Sequence, residues 1–150
     1  MAKKTQIPDW LWDNQIFESD NLKQWEGFVY KITHIPTGKF YIGKKSFWSH
    51  KTQSNGRKKT FESDWKKYCG SSPEFKAFLK LVGKSDLKRE IISLHTHKGD
   101  MTFMEMVCLI KNDVLQDSNS FNGNILGKFF KERMIDIHTR MALPNAQATQ

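Results

Sequence analysis

Cysteine is scarce: only Cys69 and Cys108 occur in 150 residues, far apart in the chain. That spacing excludes a disulfide framework and fits a reducing cytoplasm. No apolar run approaches the ~18 residues of a membrane span, and residues 1–8 lack the apolar stretch of a secretion signal. A cytoplasmic protein without a membrane partner is therefore expected. Internal repeats and linker-like stretches are missing too, so one domain is expected, with 38% apolar content for a modest core. Acid is also in short supply. Against 24 Lys and Arg there are 16 Asp and Glu, a net charge of +8. Such an excess favours a polyanionic partner. Its distribution is uneven: Lys44, Lys45, Lys51, Arg57, Lys58, Lys59, Lys66 and Lys67 face only Glu62 and Asp64, so residues 44–67 contribute +6. A run of this kind is either a solvated loop or a surface that tracks phosphates.

The predicted architecture is a small α+β domain with a short mixed three-stranded sheet flanked by helices. Residues 1–26 read as an arm carrying Trp10, Trp12 and Trp25 among acids, with Pro8 opening a short helix. That much aromatic area calls for packing on the domain or on a partner, either another protein or a second copy of the chain. The domain proper is expected over 27–142. Residues 28–34 and 39–45 read as a hairpin turned by Pro36-Thr37-Gly38. A basic insertion at about 46–61, with a turn at Ser54-Asn55-Gly56-Arg57, reads as a second hairpin or a mobile loop. A short helix is expected over 62–68. Ser71-Ser72-Pro73-Glu74 is a capping box that opens the next helix, closed by Gly83. Residues 87–94 read as a third strand with Ile91 and Ile92 buried. A helix from Thr102 carries an apolar stripe of Phe103, Val107, Ile110 and Val114, and a last basic helix is expected over 124–141. Residues 143–150 read as a frayed tail.

Two short segments stand out. Phe28-Val29-Tyr30 and Tyr41-Ile42-Gly43 flank the turn, each with a tyrosine at the equivalent place. Phe28, Tyr30 and Ile32 share one strand face, as do Tyr41 and Gly43, so the two tyrosines can meet across the hairpin. This pair resembles the signature of the GIY-YIG endonucleases, and the layout over roughly 27–125 is similar to small bacteriophage members of that family. Ser63-Asp64-Trp65-Lys66, Tyr68-Cys69-Gly70-Ser71-Ser72 and the segment from Phe75 to Glu90 carry the wider likeness.

The resemblance implies phosphodiester hydrolysis in DNA with one divalent ion, Mg²⁺ or Mn²⁺. It also implies a bacterial host cell as the location if the chain is phage-encoded. Tyr30 takes the place of the family's water-activating tyrosine, with Tyr41 and Lys44 assisting. A phenol with pKa near 10 is about one part in a thousand ionised at pH 7. Half ionisation needs a shift of ~3 units, roughly 4 kcal/mol, which cations must supply. Lys44, Lys45 and the metal are the sources on offer. Glu105 matches the metal-binding glutamate, although Thr102-Phe103-Met104-Glu105 also reads as a capping box. Asn122 matches an asparagine that holds a phosphate or the metal shell; Asn122-Gly123-Asn124 also reads as a turn. The family's arginine has no counterpart at its usual offset, near Gln53. Arg57, Lys66, Lys67 and Arg89 are the candidates to replace it, and Arg89 joins the catalytic set. Lys45, Lys51, Arg57, Lys58, Lys59, Lys66 and Lys67 form the expected DNA-binding surface. A non-catalytic binding module with the same fold is the alternative.

Overall fold

The structure, a computed structural model, describes residues 6–133. It is an α+β fold built on five strands rather than three. Strand β1 (Trp10–Trp12) turns back into β2 (Gln15–Ile16). The signature hairpin is β3 (Gly27–His34) and β4 (Phe40–Ser46), and the basic insertion is a second hairpin, β5 (Trp48–Thr52) and β6 (Lys58–Glu62). Helix α1 (Pro73–Val82), β7 (Leu87–His95), α2 (Lys98–Lys111) and a small hairpin of β8 (Asn124–Ile125) and β9 (Phe129–Phe130) follow. The main sheet runs β2-β1-β7-β3-β4. Only β1 and β7 run parallel; the other neighbours are antiparallel.

The two extra strands come from the tryptophan arm, where a helix was expected. Asp13 and Asn14 both take positive φ between them, a tight-turn geometry in which Asn and Asp are tolerated. Trp10 is buried against Phe28 and Tyr30, and its indole N–H donates to the Trp65 carbonyl at 2.8 Å. The arm is thus consumed by the chain's own core, although Trp12 stays partly exposed.

The sheet separates two apolar clusters. On one face Phe28, Tyr30, Ile32 and Ile91 pack with Trp10, Phe47, Trp65 and, from α1, Phe75 and Leu79. On the other, Val29, Phe40 and Ile42 pack with Met101, Cys108 and Leu109 of α2. Helix α1 starts as predicted, with the Ser72 hydroxyl accepting from Phe75 N–H and Gly83 closing it.

Several expectations need correction. A bulge in the β3–β7 ladder takes Val29 to Ser93 and Tyr30 to Ile91, which leaves Ile92 unopposed and 38% exposed instead of buried. Helix α2 begins at Lys98, so Thr102 is interior and its hydroxyl donates to the Lys98 carbonyl; Glu105 caps nothing. Phe103 and Ile110 are exposed, and the buried stripe is Met101, Cys108 and Leu109. The short helix over 62–68 is a single 3₁₀ turn, Trp65–Lys67. The described part of the expected last helix is the β8–β9 hairpin, turned through Leu126 and Gly127 at positive φ. Residues 134–141 and the tail at 143–150 lie outside the described residues.

Candidate active site

Strand β4 is one edge of the sheet, and a cavity of about 680 Å³ opens beside it. Because side chains alternate along a strand, Tyr41 reaches the cavity from the α1 face and Lys44 from the α2 face. Glu105 of α2, with Ser71 and Glu74 at the start of α1, completes the polar lining. Tyr41 stacks on Phe75, and its hydroxyl hydrogen-bonds Ser71 Oγ at 2.9 Å. Lys44 Nζ donates to Thr102 Oγ1 at 2.7 Å and lies 3.9 Å from Glu105 Oε1.

Two carboxyl and phenol groups here are tuned by their surroundings. Burial raises the pKa of Glu105 above the ordinary carboxylate value; the Lys44 ammonium and the Lys44 backbone N–H pull it back. Burial likewise raises Tyr41, opposed by its bond to Ser71. The cavity is acid-rich in a basic chain: Glu74, Glu105 and Glu132 line it against the single lysine, Lys44.

Asn122 also lines the cavity, but its amide is engaged. Oδ1 accepts from Ile42 N–H at 2.9 Å and Nδ2 donates to the Ile42 carbonyl at 2.7 Å. Upstream, Phe40 N–H donates to the Asn119 carbonyl and Phe121 N–H to the Phe40 carbonyl. Residues 119–122 therefore seal the β4 edge as a partial strand would, with a side chain substituting for backbone in the last rung. Asn122 positions β4 through both ends of its amide.

Tyr30 and Arg89 are not brought into the cavity. Tyr30 is fully buried, and its hydroxyl has no hydrogen-bond partner among the described residues. Desolvation, then the neighbouring Tyr68 and Tyr41 phenols, push its pKa well above the usual tyrosine range, opposite to what a phenolate base needs. Lys45 gives no help, because its Nζ sits 2.6 Å from Asp64 Oδ1 and over the Tyr68 ring. Arg89 is a buried structural tie. It donates to the carbonyls of Pro8, Tyr68 and Lys66 and lies 4.5 Å from the Trp10 ring centroid. That leaves no arginine in the cavity among the described residues.

Gly43 has a packing reason to be glycine. A Cβ there would fall 2.5 Å from Tyr30 Oη and 2.8 Å from Cζ. Its absence makes room for the Tyr30 phenol. Gly43→Ala is expected to cost about 1–3 kcal/mol by overpacking. In a urea-unfolding cycle, combining it with Tyr30→Phe should cost less than the sum of the two single changes. Additive effects would show that the two residues are not in steric conflict.

The remaining basic residues separate by position. Lys51, Arg57, Lys58 and Lys59 are exposed on the β5–β6 hairpin, whereas Lys66 lies 3.9 Å from Glu62. Lys67 joins Lys76, Lys80 and Lys84 around a depression of about 370 Å³. The sequence assigns no site role to these three lysines, and to Ser71 only a place in the capping box and in the family likeness. The i, i+4 spacing of Lys76 and Lys80 on α1 was the available signal.

Among the described residues no helix is long and apolar enough to cross a membrane. No curated protein and no solved structure matches the chain. A family model does, described as "Putative endonuclease segE, GIY-YIG domain", over residues 10–126. The match starts at the first residue of β1 and takes in both tyrosines, Lys44, Glu105 and Asn122. The chain belongs to the SegE-type GIY-YIG endonuclease family.

Proposed function

We propose that this protein is a metal-dependent DNA endonuclease that hydrolyses phosphodiester bonds at the β4-edge cavity. The observation that carries this reading is the convergence of Glu105, Lys44 and Tyr41 on one acid-rich cavity in a chain of net charge +8. A phosphate entering beside three carboxylates needs a cation. The one donor on offer to a hard ion beside Lys44 is the half-buried Glu105 carboxylate; since no cluster of three or more His, Cys, Asp or Glu forms among the described residues, waters and the substrate phosphate would have to complete the shell. Mg²⁺ is held in this manner, by one or two carboxylates together with waters and substrate phosphate.

Glu105 would hold the ion, Mg²⁺ or Mn²⁺. When bound, the ion supplies charge to the phosphate and lowers the pKa of a coordinated water. Lys44 lies beside Glu105 and balances charge on the same phosphate. Tyr41 is a neutral phenol at pH 7, so it orients the water instead of acting as a resident base. Its hydroxyl shares a hydrogen bond with Ser71 Oγ in which either oxygen can donate, and the phenol keeps a further site for that water. Tyr30 sits behind as packing.

The test is nicking of a supercoiled plasmid. Cleavage is expected with Mg²⁺ or Mn²⁺ and lost on chelation. A second reading, a binding module without turnover, draws on the lack of an arginine in the cavity. Salt-sensitive binding to the plasmid without cleavage under either metal would establish it and refute the endonuclease.

A further inference from the structure

From His50 to Glu62 every residue of the β5–β6 hairpin is exposed, so burial does not explain its existence. A two-stranded hairpin is marginal on its own. This one is pinned at the root. Phe47 N–H donates to the Glu26 carbonyl, Ser63 N–H to the Phe47 carbonyl, and the Trp48 indole to the Trp25 carbonyl at 2.9 Å. Beyond that root the ribbon projects free.

Its register sorts the side chains. Lys51 lies opposite Lys59 and Ser49 opposite Phe61, so these four share one face. On the other face Lys58 lies opposite Thr52, and the His50 ring is bonded to the Thr60 hydroxyl. Like charges directly across a ladder are destabilising. No acid occurs between residues 47 and 61 to relieve the pair, and Lys51 and Lys59 make no ion pair among the described residues. Phe61 adds an aromatic ring, 42% exposed, on the same face. Lys51, Gln53, Lys59 and Phe61 together line a shallow hollow of about 350 Å³. An uncompensated lysine pair beside an exposed ring is a surface shaped for a polyanion that also offers apolar contact.

The dimensions choose among such partners. Two strands ~4.8 Å apart with their side chains suit a groove ~12 Å wide and are too broad for one of ~6 Å. The major groove also displays guanine N7 and O6 as acceptors and the thymine methyl as an apolar contact. Resting on the endonuclease reading above, we infer that the Lys51–Lys59–Phe61 face of this ribbon enters the major groove of the duplex substrate. The lysines address guanine acceptors and Phe61 addresses thymine methyls. Seven residues separate Lys44 from Lys51, a span of at most ~23 Å, or about seven base-pair steps. The bases read by the ribbon thus lie within one helical turn of the bond cut.

Binding to a short fluorescent duplex in chelator tests this without any cleavage. Methyl green, which fills the major groove, is expected to displace the protein, and netropsin, which fills the minor groove, is not. Lys51→Ala/Lys59→Ala should weaken binding about ten-fold or more and lose the sensitivity to methyl green. Lys58→Ala, on the opposite face, should weaken binding less and keep the sensitivity to methyl green. All of these positions are exposed, so thermal melts should show the variants folded. Competition by netropsin alone, wild-type affinity in the double variant, or an equal loss in Lys58→Ala would each overturn the assignment. Plasmid nicking is scored separately. Nicking with an unaltered double variant refutes the ribbon and leaves the endonuclease, ribbon-dependent binding without nicking does the reverse, and no binding at all refutes both.

Discussion

Glu105→Gln is expected to abolish metal-dependent nicking while leaving duplex binding intact. The substitution keeps the shape of the side chain, so the packing of α2 on β4 should hold. What it removes is, among the described residues, the one carboxylate at salt-bridge distance from Lys44. If that carboxylate holds the ion, the loss is several kcal/mol of transition-state stabilisation, about a thousand-fold in rate. The same change carries a stability signature with a defined sign. Burial raises the native pKa of Glu105 above its unfolded value even with Lys44 nearby. Between those two values the native protein keeps a proton that the unfolded chain has released, so stability falls as pH rises through the native pKa. Above that window the buried Glu105 carboxyl is a net cost to the native state. Glu105→Gln should therefore be at least as stable as wild type at pH 7, with the difference shrinking as pH falls through that window. Chemical denaturation at several pH values, beside the nicking assay, reads both effects. Undiminished nicking would remove Glu105 from the site. Lost nicking with a large loss of stability would mean that its role is structural.

The two signature tyrosines should separate just as clearly. Tyr41→Phe deletes a hydroxyl that faces the cavity and bonds Ser71. If that hydroxyl orients the water, the rate should fall by about 10²- to 10⁴-fold, the range for a positioned proton-handling group. Tyr30→Phe deletes a hydroxyl buried without a partner. An unsatisfied buried donor costs about 1–3 kcal/mol, so Tyr30→Phe should raise stability by about 1 kcal/mol and slow nicking far less. Urea unfolding and single-turnover nicking of both variants decide the matter. A larger rate loss in Tyr30→Phe than in Tyr41→Phe would return the water-activating role to Tyr30 and mean that its phenol swings out when substrate binds.

Local chemistry made some elements readable. The β3–β4 hairpin, the Ser72 cap and the Gly56 turn each carry their signal within a few residues, and each formed close to where the sequence placed it. What failed depended on distant partners. β1 is three residues long and exists because β7 receives it, so no window around Pro8 could reveal it. The stripe of Phe103, Val107 and Ile110 has good helical spacing, yet β3 and β4 select Met101, Cys108 and Leu109 instead. The site divides along the same line. The signature segment on β4 puts Tyr41 and Lys44 at the cavity edge, and both were legible in sequence. Neither the engagement of Asn122 by Ile42 nor the withdrawal of Arg89 into three carbonyls leaves any local trace.

The parallel pairing of β1 with β7 joins residues about eighty positions apart. Closing a loop of that length costs about 4 kcal/mol in chain entropy, repaid only after β7 exists. During synthesis the first strand of the sheet must therefore wait until β7 has emerged. Until then Trp10 has neither its aromatic neighbours nor the Trp65 carbonyl. The arm docks late, and its docking closes the apolar face on which both signature tyrosines lie. Closure of the face that carries the family signature is in this way tied to the arrival of β7.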